Sequence, residues 1–207
     1  MIPWTRIQHR QLAIDAVGAI KHYAVELGLS YHNFDHVVSM YQYLADTNEP
    51  YDEALDWAVL FHDIVYDKDD GKEKRSAAMF DFNARIPKYE IDPIIIAPAT
   101  RMIMATAYHI VVEHGVSAIV RADLHALANP VTTIQNFLKI MDESCALYKI
   151  TPSNFAKNSE SFMDALYERV LGNITSDPSH AVFYQKVLGG IRTTTTLSKI
   201  VQQGGSE

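Results

Sequence analysis

At 207 residues the chain fits one domain with a single core. Its 48% hydrophobic and 21% charged content is that of an ordinary globular protein, and its net charge of −7, with no basic run, excludes the electrostatic footprint of a duplex-binding protein. The lone Cys145 cannot form an internal disulfide, no apolar signal core opens the chain, and Ile94-Ile95-Ile96 is too short to span a bilayer. A cytoplasmic protein without membrane contact is expected.

In chain order, the apolar periodicity reads almost wholly as helix. A first helix is expected over residues 5–27, burying Ile7, Ile14, Val17, Ile20 and Leu27, with Gly28 as its stop. A second, over 33–43, keeps Phe34, Val37, Val38 and Tyr41 on one side, continued by Leu44. A third starts near Pro50, a favoured first-turn residue, and ends on His62-Asp63 after the apolar run Trp57-Ala58-Val59-Leu60-Phe61. Residues 67–74 form a polar, charged loop beyond that pair. Helices follow over 75–84, 93–109, 120–127, 130–148, 153–171 and 178–200, the last with a kink expected at Gly189-Gly190. No period-2 stretch competes, since the β-branched run Thr193 to Thr196 is too short. The fold class is therefore all-α: one helical-bundle domain over 1–203, with a disordered tail at 204–207.

The histidines carry the functional signal. His32 and His36 are four residues apart on the second helix, a spacing that puts both on one face, pointing the same way. Asp63 follows a buried run, where a carboxylate is costly unless it is paired or bound to a metal. Imidazole plus carboxylate suits a divalent ion of the Zn, Mn, Fe or Ni kind. Each residue alone also has a plainer reading. His62-Asp63 fits a helix end, His36 a core histidine bonded to a carbonyl, and Asp123 an N-cap.

The ordered set His36, His62-Asp63 and Asp123 resembles the signature of the HD superfamily of metal-dependent phosphohydrolases. Tyr31-His32-Asn33-x-x-His36 is similar to the corresponding motif of the cyclic-nucleotide phosphodiesterases. Other features are similar to a little-characterised bacterial subfamily of predicted metal-dependent HD hydrolases. They are the run from Phe61 through His62-Asp63 to Asp67, then Arg75-Ser76-Ala77, Ala-Thr-x-x-His ending at His109, and Asp123-Leu124. The resemblance extends over residues 4–172.

It implies an HD-type helical bundle in which His36, His62, Asp63 and Asp123 hold one divalent ion (Mn, Fe, Ni, Co, Zn or Mg), with a second ion allowed. His32 would be the general acid, and Arg75, beside Lys74, would offset phosphoryl charge. Tyr31, Asp67 and His109 would lie near substrate, with His125 as surface or supporting residue. The implied activity is hydrolysis of a phosphate ester or anhydride, first of all a nucleotide, by ion-activated water. The chain departs from certain nucleotidases in having Ile64-Val65-Tyr66, with no acidic residue, right after the pair. Three other readings stand beside it: an HD-fold di-iron oxygenase using His109 as a further ligand, a non-catalytic nucleotide-binding module, and a structural or partner-binding protein. The expected partner is a small phosphorylated molecule; the oligomeric state is open, a homodimer included.

Overall fold

The computed structural model describes residues 2–204. Among them the structure is helical throughout, with no strand. Nine α-helices follow in order: α1 (Gln11–Leu27), α2 (Phe34–Asp46), α3 (Glu53–Phe61), α4 (Lys72–Ala84), α5 (Pro93–Thr106), α6 (Ser117–Leu124), α7 (Pro130–Tyr148), α8 (Pro152–Ser176) and α9 (Ala181–Gly204). Short 3-10 turns fill several of the gaps, among them His125–Ala128 after α6. No described helix is long and apolar enough to cross a membrane.

The core forms around α3. Every residue from Ala54 to Phe61 is buried, so this helix is enclosed on all sides rather than amphipathic. Trp57, Phe61 and Phe80 make its aromatic centre, the Phe61 and Phe80 rings meeting edge to face at 5.2 Å. Asp52 caps the N-terminus by accepting from the Ala54 amide. α3 therefore starts after Pro50, later than expected, because Asp52 supplies the cap that Pro50 cannot.

The other departures also have local causes. α1 begins at Gln11, not residue 5, because the preceding segment is used elsewhere: the Thr5 hydroxyl and the Arg6 amide donate to the buried Asp56 carboxylate at 2.6 and 2.8 Å. α1 does end at Gly28, whose φ of 67° is the left-handed stop that glycine adopts without strain. α4 starts at Lys72, inside the expected loop, and α5 stops at Thr106, short of His109. α9 runs unbroken through Gly189-Gly190 and through the threonine run, whose Thr193, Thr195 and Thr196 hydroxyls bond carbonyls one turn back. The reason for Gly190 is close approach: a Cβ there would lie 2.0 Å from the Leu127 carbonyl oxygen. Gly204 is the last residue of α9, and the rest of the expected tail, 205–207, lies outside the described residues.

Candidate metal centre

Three elements bring the central residues together. His36 sits in the first turn of α2, His62 is the residue after α3, and Asp123 is the next-to-last residue of α6. One ligand atom from each lies within 4.8 Å of the other two. The two Nε2 atoms of His36 and His62 are 3.3 Å apart, and Asp123 Oδ1 stands 3.3 Å from the first and 3.8 Å from the second. His36 is 6% and His62 0% exposed, so this nitrogen-rich contact is made away from water.

The donor chemistry fits a cation. His62 Nδ1–H donates to the Val59 carbonyl at 2.9 Å, which fixes the ring and turns Nε2 toward His36 and Asp123. Burial disfavours a charged His62, but the carboxylates of Asp63 and Asp123 outweigh it and push the imidazole up to about 9. His36 is pulled down, chiefly by burial. Asp123 is held well below the usual carboxylate range: burial opposes this, but hydrogen bonds from His109 and His36 prevail. His36, His62 and Asp123 could therefore hold a metal ion, while the identity of that ion is not fixed by this geometry. Asp63, expected as the fourth ligand, stands outside this three-residue group and pairs with His62 Nε2 at 3.0 Å.

His32 reaches the same place by a different route from the one its spacing suggests. It precedes Asn33, the N-cap of α2, so it does not share a helix face with His36. Glu143 of α7, 1% exposed, holds it instead. One Glu143 oxygen accepts from the backbone amides of Tyr31 and His32 at 2.8 and 3.0 Å, the other from His32 Nδ1 at 2.5 Å. Burial pushes the Glu143 carboxyl up, but His32 and the two amides outweigh it and keep it ionised. An ionised carboxylate only accepts, so Nδ1 carries the proton and Nε2 is left for other work. The His32 ring stacks on Tyr66 at 3.8 Å and lies 6.0 Å from the His36 ring. Nothing about a lone glutamate singled out Glu143. Its spacing from Phe137 and Ile140 does put it on the apolar stripe of α7, where a carboxylate needs a partner.

His109 follows α5 with φ of 53°, a left-handed backbone pinned by Asn173 of α8. The Asn173 amide donates to the His109 carbonyl at 2.8 Å and accepts from the Val111 amide at 2.9 Å. His109 Nε2 lies 2.9 Å from Asp123 Oδ2, on the opposite oxygen from the one facing His36. Tyr31 packs against both His32 and His36, and its hydroxyl is kept protonated by burial and by Asp123, Asp63 and Glu143. His125 turns away, donating from Nδ1 to the Ala122 carbonyl and packing on Tyr43.

A cavity of about 620 Å³ adjoins the cluster, and Tyr31, His32, Asp63, His109 and Asp123 all line it. Arg75, Lys74 and Asp67 do not. The Arg75 guanidinium is engaged within its own loop by a two-pronged pair with Asp67, both contacts 2.7 Å, and by the Asp69 carbonyl at 2.8 Å. That pairing holds Asp67 down at about 2. The cation facing the cavity is Lys72, whose Nζ stands 3.9 Å above the Tyr66 ring.

The chain matches no family model, no curated protein and no solved structure, so the family resemblance stands on the order and spacing of its own residues.

Proposed function

We propose that the protein is a metal-dependent hydrolase of a phosphate ester or anhydride. The observation that carries this reading is the convergence of His36, His62 and Asp123 beside a cavity that His32, buttressed by Glu143, also lines. When bound, a divalent ion supplies an activated water and neutralises charge at phosphorus. His36, His62 and Asp123 would hold it, His62 as the neutral imidazole, and the neighbouring Asp63 carboxylate would offset the charge of the ion. His32 donates a proton from Nε2 to the leaving oxygen, while Glu143 fixes Nδ1–H and so the direction of the ring. Lys72, rather than Arg75, offers the positive charge for the phosphoryl oxygens. The resemblance points to a nucleotide as substrate and to an HD-type arrangement of the bundle, and the lone Cys145 fits a reducing, cytoplasmic compartment. His109 on the far oxygen of Asp123 supports a second ion, and the di-iron oxygenase reading rests on that contact.

The test is phosphate and pyrophosphate release from a panel of phosphate esters with Mn, Co, Ni, Zn and Mg in turn. Turnover with at least one ion is expected, and its loss in His36→Ala. Bound metal with no turnover of any ester would sink the hydrolase reading; dioxygen uptake by the iron-loaded protein would replace it with the oxygenase.

A further inference from the structure

The cavity beside the cluster is lined mainly by apolar side chains away from the histidines and aspartates, with Asn136, Ser144, Asn158 and Ser159 set among them. Beyond His32, Asp63, His109 and Asp123 its wall is built by the facing sides of α7 and α8, with Phe137, Ile140, Phe155, Met163 and Leu166 prominent. Phe137, Phe155 and Leu166 are buried, and the Phe137 and Phe155 rings meet at 5.7 Å, so this wall is packed rather than incidental. Its volume falls in the range of about 300–1,000 Å³ that takes a small organic ligand. Phe137, Ile140, Phe155, Met163 and Leu166 offer a nucleobase edge nothing in place of the hydrogen bonds it makes with water, a task left to Asn136, Asn158 and the two serines. The Thr133 hydroxyl, also in the lining, is already committed to carbonyls of Ala126 and Asn129. Aliphatic carbon has no such demand.

We infer that the substrate is amphipathic: a phosphate monoester of an alkyl or isoprenoid alcohol, its phosphate at the histidine–aspartate cluster and its chain between α7 and α8. This puts an alkyl chain in place of the nucleotide to which the resemblance points, and it rests on the hydrolase reading above for the chemistry, though not for binding. In the reaction, water adds to phosphorus and the bond from phosphorus to the alkyl oxygen breaks. The leaving oxygen takes the His32 proton, giving inorganic phosphate and a free alcohol. Phe162, 48% exposed, and Ser159, half-buried, also line the cavity and can be changed with little risk to the fold.

The decisive measurement is binding of non-hydrolysable n-alkyl phosphonates (butyl, octyl and dodecyl) to the metal-loaded protein by titration calorimetry, below their micelle concentrations. Affinity should rise about fourfold per added methylene, the value of moving one from water to an apolar wall, until the cavity is full. Phe162→Asp should flatten that slope, and Ser159→Phe should end it at a shorter chain. Equal affinity for butyl and dodecyl phosphonate, tighter binding of nucleoside phosphates, or an undiminished slope in both variants would each overturn the inference. Turnover of the matching alkyl phosphates is scored separately. Chain-length-dependent binding without hydrolysis would uphold the chain site and reject the hydrolase; hydrolysis indifferent to chain length would do the reverse.

Discussion

Two buried polar clusters sit two residues apart on α6, one around Arg121 and one around Asp123, and they are built on opposite principles. Arg121, 3% exposed, reaches Glu49 at 2.5 Å and bonds Ser117, which in turn bonds Asp177. Asp177 also takes the Tyr184 hydroxyl at 3.1 Å and His180 at 2.9 Å. Carboxylates and a permanent cation offset each other inside the protein, and the donors point at acceptors. The cluster ties α6 to the end of α2, to the start of α9 and to the turn between α8 and α9. Around Asp123 the partners are imidazoles, whose charge depends on their surroundings, and two ring nitrogens face each other at 3.3 Å. A cavity opens beside it. The first cluster is complete as it stands; the second has coordinating capacity to spare.

The widest separation between the two comes from deleting one member of each. His36→Ala and Asp123→Asn should abolish metal binding and reduce turnover to the uncatalysed level. Their folds should survive, since each leaves a shortened or neutral group beside the cavity. Arg121→Ala should leave metal affinity per folded molecule unchanged. It removes the cation that faces the buried Asp177 and the half-buried Glu49, so it should cost up to about 3–5 kcal/mol of stability. At roughly 2–4 °C per kcal/mol for a chain of this size, that is a drop in Tm readable by calorimetry. Metal loss in Arg121→Ala with no fall in Tm would erase the distinction.

Next in size is the split between holding the ion and moving the proton. His32→Ala should keep the metal and lose about 10²–10⁴-fold in kcat, as for a positioned acid. Glu143→Gln should lose less, about 10–100-fold, and should shift the pH profile of kcat, since the amide no longer fixes Nδ1–H. If His32→Ala releases the metal, then His32 is a ligand and its place outside the three-residue group has been misread.

How far these clusters were legible in the sequence follows from what each depends on. His36, His62 and Asp123 were visible because order along the chain survives folding, and the all-α class was visible because buried helices impose a 3.6-residue period. His32 does not share a helix face with His36 because Asn33 caps α2 through its side chain, leaving His32 one residue outside. Glu143 and Asn173 lie 111 and 64 residues from the groups they hold, and no local pattern encodes such pairing. Arg75 is held away from the cavity for a nearer cause: Asp67, eight residues before it, is within reach of the guanidinium and takes it. Lys72 falls within the loop expected over 67–74, although a glycine before a charged helical stretch allows the helix to start there.

The smallest effect concerns protons and separates the clusters by their titration. Asp177 is held at about 2: burial opposes this, and bonds from Ser117, His180, Ser179 and Tyr184 outweigh it. Its folded value is depressed, so its contribution is present above the unfolded carboxylate range and is lost only as pH falls toward 2. His62 is raised to about 9, so its contribution without metal is complete below about 6.5 and fades as pH climbs through 9. A metal ion taking Nε2 must displace that proton. Apparent metal affinity should therefore rise about tenfold per pH unit from 7 to 9 and then level off. Calorimetry at pH 7 in buffers of different ionisation enthalpy should count about one proton released per ion. Asp63→Asn removes the nearest carboxylate from His62, so the plateau should begin at lower pH. Arg121→Ala should leave the plateau where it was. Affinity independent of pH over that range would mean that the ion does not compete for His62, and the ligand set would have to be redrawn around His109 and Asp123.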